Sequence, residues 1–284
     1  MAVKKGNIVV LDACTLIHLF GTDVQKQSML RSLLKDQQIF IPDMVYNEAK
    51  KNADKLDDAD QKSYVQGCLS QAHIWAKRIS DEDIRRDLSD QGMDELVTYT
   101  KHPHRANGEL FSVMLAAIKS REEQQYVHFF TDDYPAQDEF SSYYRLQQIG
   151  MIGDTADYLV YLYWMHSDFS KEDLLNRLQD LKAEYSLPFI NFLKKLKETF
   201  EVVPDRETQK GKLGLWVSNV EHGFYSGNQD ELKQGLEKLK TSDNKKIKNL
   251  ATSVNSNTLE SCAQVPRLAS LINDIKRCDI WKIE

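Results

Sequence analysis

The sequence predicts an α/β protein: a parallel sheet flanked by helices, with a helical insertion and a small C-terminal appendage. Three observations predict it. Residues 7–11 (NIVVL), 38–41 (QIFI) and 126–130 (YVHFF) are short, continuous apolar runs, as expected of strands buried on both faces. Segments with apolar residues at helical spacing separate them, and that alternation implies crossover connections in a parallel sheet. The texture then changes near Val203-Pro204-Asp205. Beyond it come Gly211, Gly214, Gly223, Gly227 and a polar stretch over residues 242–258.

Each element follows in order. The strand at 7–11 ends at Asp12. Val24, Met29, Leu30, Leu33 and Leu34 mark a helix over 24–34. The strand at 38–41 is stopped by Pro42, and Asp43 caps a helix that runs to about Lys51 and carries Glu48. Residues 61–79 and 82–100 read as two further helices. Asn107-Gly108 breaks the chain, and Leu110, Val113, Met114 and Ala117 share one face of a helix over 109–120. The strand at 126–130 ends in Thr131-Asp132-Asp133, and a helix spans 135–148. A short strand at 150–153 (GMIG) and helices at 154–166, 171–184 and 187–200 complete a main domain of residues 1–203. Within it, about 53–105 is the helical insertion. Residues 204–284 form the appendage.

Composition narrows the class. With 41% apolar and 28% charged residues, the chain is a folded globular protein rather than a disordered one. No apolar run approaches the roughly 18–20 residues of a membrane helix, so no membrane partner is expected. Cys14, Cys68, Cys262 and Cys278 form no CxxC pair, which argues against a zinc site and for a reducing, cytoplasmic setting. The formal charge of −6 argues mildly against a passive nucleic-acid binder. It leaves room for an enzyme that gathers carboxylates around a metal. The charge is uneven: residues 1–204 sum to −8 and residues 205–284 to +2.

The acids carry the functional reading. Ligands in parallel sheets bind beyond the carboxyl ends of the strands, where Asp12 and Asp132-Asp133 fall. Glu48 and Glu109 sit near helix starts that such a sheet can turn toward the same crevice. Taken singly, each has an ordinary explanation. Asp12 caps a helix, Asp132-Asp133 makes a turn before Pro135, Glu48 belongs to a wet helix face beside Lys50-Lys51, and Glu109 favours the helix dipole. Together, four or five converging carboxylates repel one another unless a cation joins them. Oxygen ligands suit Mg²⁺ or Mn²⁺. Such ions activate water and neutralise a phosphate transition state, so the implied chemistry is phosphodiester hydrolysis.

Other constellations carry less. The basic segment Lys101-His102-Pro103-His104-Arg105 precedes Glu109 and is either a phosphate contact or a solvated loop. No Walker-type phosphate loop and no serine or cysteine hydrolase motif is present. A haloacid-dehalogenase-like phosphatase needs a second Asp two residues after the strand-end Asp, and that position is Cys14.

In this order the segments resemble those of the PIN-domain ribonucleases. Residues 8–17 (IVVLDACTLI) resemble the family's first strand, acid and following turn, and 41–48 (IPDMVYNE) its second strand and Glu-bearing helix. Residues 107–116 (NGELFSVMLA), 129–133 (FFTDD) and 149–159 (IGMIGDTADYL) resemble the later helix, the acidic strand end and the closing strand and helix. The matches span about residues 7–165. The stretch over 53–105 is longer than in a minimal member. Many members place the third acid deeper in its helix, which leaves Asp94 as a weaker alternative to Glu109. The resemblance implies a metal-binding quartet of Asp12, Glu48, Glu109 and Asp132, with Asp133 as a fifth acid. It implies Thr131 and Thr15 as hydroxyls that hold ligands or water. The implied activity is Mg²⁺- or Mn²⁺-dependent endoribonuclease cleavage of RNA leaving a 5′-phosphate, toxin-like, defence-associated or in processing. The implied partners are a second copy of the chain and an antitoxin or companion protein. The alternative is a non-catalytic interaction or RNA-binding protein on the same fold.

Overall fold

The computed structural model describes residues 7–23, 29–88, 90–100, 107–203 and 210–277. They form two compact units, one ending at Arg177 and the other beginning at Leu178. No helix among them is long and apolar enough to cross a membrane.

The first unit is α/β. Its chain order is β1 (Ile8–Leu11), α1 (Ala13–Gly21), α2 (Met29–Leu34), β2 (Gln38–Pro42) and α3 (Asp43–Ala53). Next come α4 (Ala59–Ser70), α5 (Ala72–Trp75), β3 (Lys77–Ile79), α6 (Asp81–Asp87), α7 (Asp90–Val97) and α8 (Gly108–Glu123). It closes with β4 (Val127–Phe130), α9 (Tyr134–Leu146), β5 (Gly150–Gly153), α10 (Thr155–Met165) and the start of α11 (Lys171–Glu201). The five strands are all parallel, in the order β3-β2-β1-β4-β5. In β1, Val9 lies opposite Ile39 on one side and His128 on the other. Every residue of β1 has zero exposure, which an Ile-Val-Val-Leu run achieves only at the centre of a sheet covered on both faces. Phe111, Met114 and Leu115 of α8 join Val10, Phe129 and Tyr144 in the main core.

Several expectations change. Residues 61–79 are not one helix but α4, the single turn α5 and the strand β3. The Trp75 indole donates to the Cys68 carbonyl across that turn (3.2 Å), and Lys77-Arg78-Ile79 then pairs with Phe40–Pro42. A three-residue edge strand with Lys and Arg carries no apolar signal, and charge on an edge is common because it discourages further pairing. The insertion is therefore not wholly helical. Residues 82–100 likewise divide into α6, capped by the Ser80 hydroxyl accepting from the Asp83 N–H, and α7. Directly after Asp12, where a turn is expected, the chain enters α1.

A further change concerns the boundary, expected at 203/204 and found at 177/178. Residues 171–184 and 187–200 make one continuous helix, α11, with Pro188 inside it. Its Phe189, Phe192, Leu193 and Leu196 belong to the core of the second unit. That unit is all helical: the rest of α11 with α12 (Lys210–Ser226), α13 (Gln229–Lys240), α14 (Lys245–Ser253) and α15 (Ser256–Arg277). The α12 and α13 backbones approach closely, since a Cβ on Gly223 would lie 2.5 Å from the Leu232 nitrogen. The polar stretch at 242–258 holds α14, whose Asn244 cap accepts from the Lys246 and Ile247 N–H groups. Buried Ile247 and Ala251 anchor it, too few apolar residues to mark a helix in advance.

A fully buried ion pair ties the start of α11 into the first unit. The Arg177 guanidinium donates to Asp23 Oδ1 (2.5 Å) and to the Thr22 carbonyl (2.8 Å), while the Tyr64 hydroxyl donates to Asp23 Oδ2 (2.7 Å). Removing one partner of such a pair strands the other charge. Arg177→Met is expected to destabilise the first unit by about 3–5 kcal/mol in urea denaturation of the full chain. The double variant with Asp23→Leu is expected to recover more than half of that loss.

Candidate functional site

The sheet order creates the site. From β1 the chain builds outward through β2 and β3, then returns to the other side of β1 for β4 and β5. Such a reversal opens a crevice at the carboxyl ends of the two central strands. Asp12 follows β1 and Thr131-Asp132 follow β4. The ladder continues into them: the Asp12 N–H donates to the Phe130 carbonyl (3.0 Å) and the Thr131 N–H to the Gly153 carbonyl (2.9 Å).

Asp12 is 1% exposed. Its Oδ2 accepts from the Thr131 hydroxyl (3.1 Å), and its Oδ1 is buried with no hydrogen-bond partner among the described residues. It makes no side-chain cap bond to α1, although it occupies the capping position. Glu48 on α3 and Glu109 in the first turn of α8 face it. Gly108, the first residue of α8, sits between them: a Cβ there would lie 3.0 Å from Glu48 Oε2, 3.1 Å from Val45 Cγ2 and 3.6 Å from Asp12 Oδ1. The lack of a side chain at 108 keeps this space open. Asn107 sets the helix start by accepting from the Leu110 N–H (3.0 Å).

The electrostatics follow from this placement. Burial pushes the Asp12 carboxyl up to about 8, the negative charges of Glu109 and Glu48 add to the rise, and the Ala13 N–H and Thr131 hydroxyl oppose it. The Cys14 thiol is pushed far up by burial, then by Asp12, Asp132, Glu48 and Glu109. All four carboxylates therefore act on one region. Burial and these negative charges oppose formation of a Cys14 thiolate.

Asp132 stands apart from the first three. Its Oδ1 accepts from the Thr155 N–H (2.9 Å), and its Oδ2 accepts from the Thr155 hydroxyl (2.5 Å) and meets His18 Nδ1 (2.7 Å). Burial would raise this carboxyl, but the bonds from His18 and Thr155 outweigh it and hold the group below the usual range. Asp133 caps α9, its Oδ1 accepting from the Ala136 N–H (2.9 Å). Thr131 is fully buried and also accepts from the Asp133 N–H (3.1 Å). Thr15 donates to the Phe130 carbonyl (3.1 Å), tying α1 to β4. Asp154 caps α10 in a reciprocal capping box with Asp157. Asp94 on α7 is exposed. Lys101, His104 and Arg105 lie outside the described residues.

The crevice thus brings together Asp12, Glu48, Glu109 and Thr131, with Asp132 beside them in its own hydrogen-bond network. As the side chains stand, no group of three or more His, Cys, Asp or Glu among the described residues is arranged to hold a metal ion. His18 and Thr155 were not singled out from sequence. Both depend on a helix that starts directly after a strand-end Asp, and no spacing motif marks either. Fold and site define an α/β protein with a buried carboxylate at its topological switch point. No family model, curated protein or solved structure matches the chain.

The Asp12 shift has a stability consequence in metal-free protein. Its folded value lies above the ordinary carboxyl value of 3.8, so its stabilising contribution is full below pH ~4 and is lost as pH rises through about 8. Asn mimics the protonated form. Asp12→Asn is therefore expected to match wild type near pH 4 and exceed it at pH 9 by on the order of a few kcal/mol. Denaturation in chelator across that range checks it. The opposite shift at Asp132 is common to both proteins and cancels in the difference.

Proposed function

We propose that this protein is a PIN-like, metal-dependent endoribonuclease that hydrolyses RNA phosphodiester bonds at the crevice between β1 and β4. The observation that carries this reading is the Asp12 carboxylate, buried with one oxygen unpartnered and facing Glu48 and Glu109. A buried carboxylate without a partner is costly, and a divalent cation is the partner that suits an all-oxygen donor set. Asp12, Glu48 and Glu109 are the residues that would hold Mg²⁺ or Mn²⁺. When bound, the ion supplies a water of lowered pKa and neutralises charge on the phosphate.

The chain's own groups do the rest. The β1–β4 ladder and Thr131 fix Asp12 in place, so little reorganisation is needed at the reacting centre. The bare Gly108 leaves room beside Glu48. Asp132 and Thr155 orient His18, which is partly exposed. The acids at 132 and 133, which the family resemblance puts in the metal set, are here a positioning group and a helix cap. The ordered acids along a parallel α/β sheet support the PIN-like assignment. A second reading, a non-catalytic PIN-like interaction or RNA-binding protein, is favoured by the lack of a ready three-ligand group among the described residues.

Two measurements separate the readings. Purified protein with labelled single-stranded RNA and Mn²⁺ is expected to cleave, chelator to abolish cleavage, and Asp12→Asn to lower the rate by about 100-fold or more. Glu48→Gln and Glu109→Gln are expected to cost about tenfold or more each. Equal cleavage by wild type and Asp12→Asn overturns the site. Calorimetry showing no Mn²⁺ binding favours the non-catalytic reading.

A further inference from the structure

The residues proposed for that chemistry all lie in the first unit; the second unit carries a built surface of its own. A cavity of about 470 Å³ is lined by Lys182, Ser186 and Ile190 of α11, Tyr225 near the end of α12, and Pro266 and Ala269 of α15. A neighbouring cavity of about 510 Å³ shares Lys182, Ser186, Ile190 and Ala269 and extends to Leu187, Ile272 and Lys276. The shared walls make them one trough along α11 and α15. On α11 its lining residues are 179, 182, 183, 186, 187 and 190, one helical face at three- and four-residue spacing. That face runs for about 16 Å, roughly three helical turns.

We propose that this trough receives an acidic amphipathic helix from a partner protein. The apolar part is open: Leu187 is 56% exposed, Ile190 41% and Tyr225 68%. A helix laid in a groove needs apolar anchors over two to three turns, and the trough offers that length. Small residues, Ala183, Ser186 and Ala269, let a partner backbone approach between the larger walls. Charge selects the partner's sign. The lining contains Lys182 and Lys276 and no carboxylate, and among the described residues neither ammonium is in an ion pair. Residues 178–284 sum to +2, against −8 for residues 1–177. Like charge therefore works against a second copy of this unit, whereas a Glu- or Asp-flanked helix meets two lysine ammoniums in a lining without a carboxylate. The proposal does not depend on the nuclease reading.

The test uses the full chain and two labelled helical peptides with the same leucine stripe, one flanked by Glu and one by Lys. Fluorescence anisotropy is expected to show the Glu peptide binding about tenfold or more tightly than the Lys peptide. Ile190→Asp is expected to weaken it about tenfold, and Lys182→Glu with Lys276→Glu to reverse the preference. These positions are not in the unit's packed core, and unchanged melting by circular dichroism confirms that the variants fold. No binding, equal binding of both peptides, or binding indifferent to these variants overturns the proposal. So do displacement of the peptide by dodecanoate, which assigns the trough to an amphiphile, and self-association lost in Ile190→Asp, which assigns it to a second copy.

Discussion

The first unit depends on one constraint: an apolar strand buried on every side ends in a carboxylate that cannot reach bulk water. Ile8–Leu11 are wholly buried, and the ladder to β4 continues one residue into Asp12. Burial there sets the energetics of the crevice. It raises the Asp12 carboxyl, makes the charges of Glu48 and Glu109 count, and keeps the Cys14 thiol neutral. In a medium of lower dielectric than water, charges interact more strongly, so Glu48 and Glu109, though only partly buried, act on Asp12.

Around that point the two central strands divide the work. The carboxylate after β1 keeps an oxygen without a partner, while the one after β4 is saturated by His18 and Thr155. Two buried acids at equivalent strand ends thus have opposite perturbations: burial and the charges of Glu109 and Glu48 raise Asp12, while the bonds from His18 and Thr155 hold Asp132 down. Thr131 links them, since its hydroxyl donates to Asp12 and its neighbour is Asp132. A substitution at Thr131 therefore touches both halves of the crevice.

The second unit has a different economy of packing. Its core is built from helix faces, Phe189 to Leu196 of α11 against α12 and α13, with close backbone approach at Gly223. One face of α11 enters that core and the adjoining face lines the trough.

Much of this was legible in the residues. The runs at 7–11, 38–41 and 126–130 announced the central strands, because strands covered on both faces must be apolar throughout. The ordering of Asp12, Glu48, Glu109 and Asp132 announced the crevice, because parallel sheets put strand ends and helix starts at one edge. Other features had no local signal. Lys77-Arg78-Ile79 becomes a strand only because the edge of β2 is there to pair with it. Residues 178–201 join the second unit because Phe189 and Leu196 find their core there. Which acid stays open and which is locked was decided by His18 and Thr155, brought to Asp132 from elements 114 and 23 residues away in the chain. The sequence by itself determined the strand interior and the set of acids, since burial and periodicity are local properties. Only the tertiary structure decided their roles, since a hydrogen bond between distant residues has no sequence period.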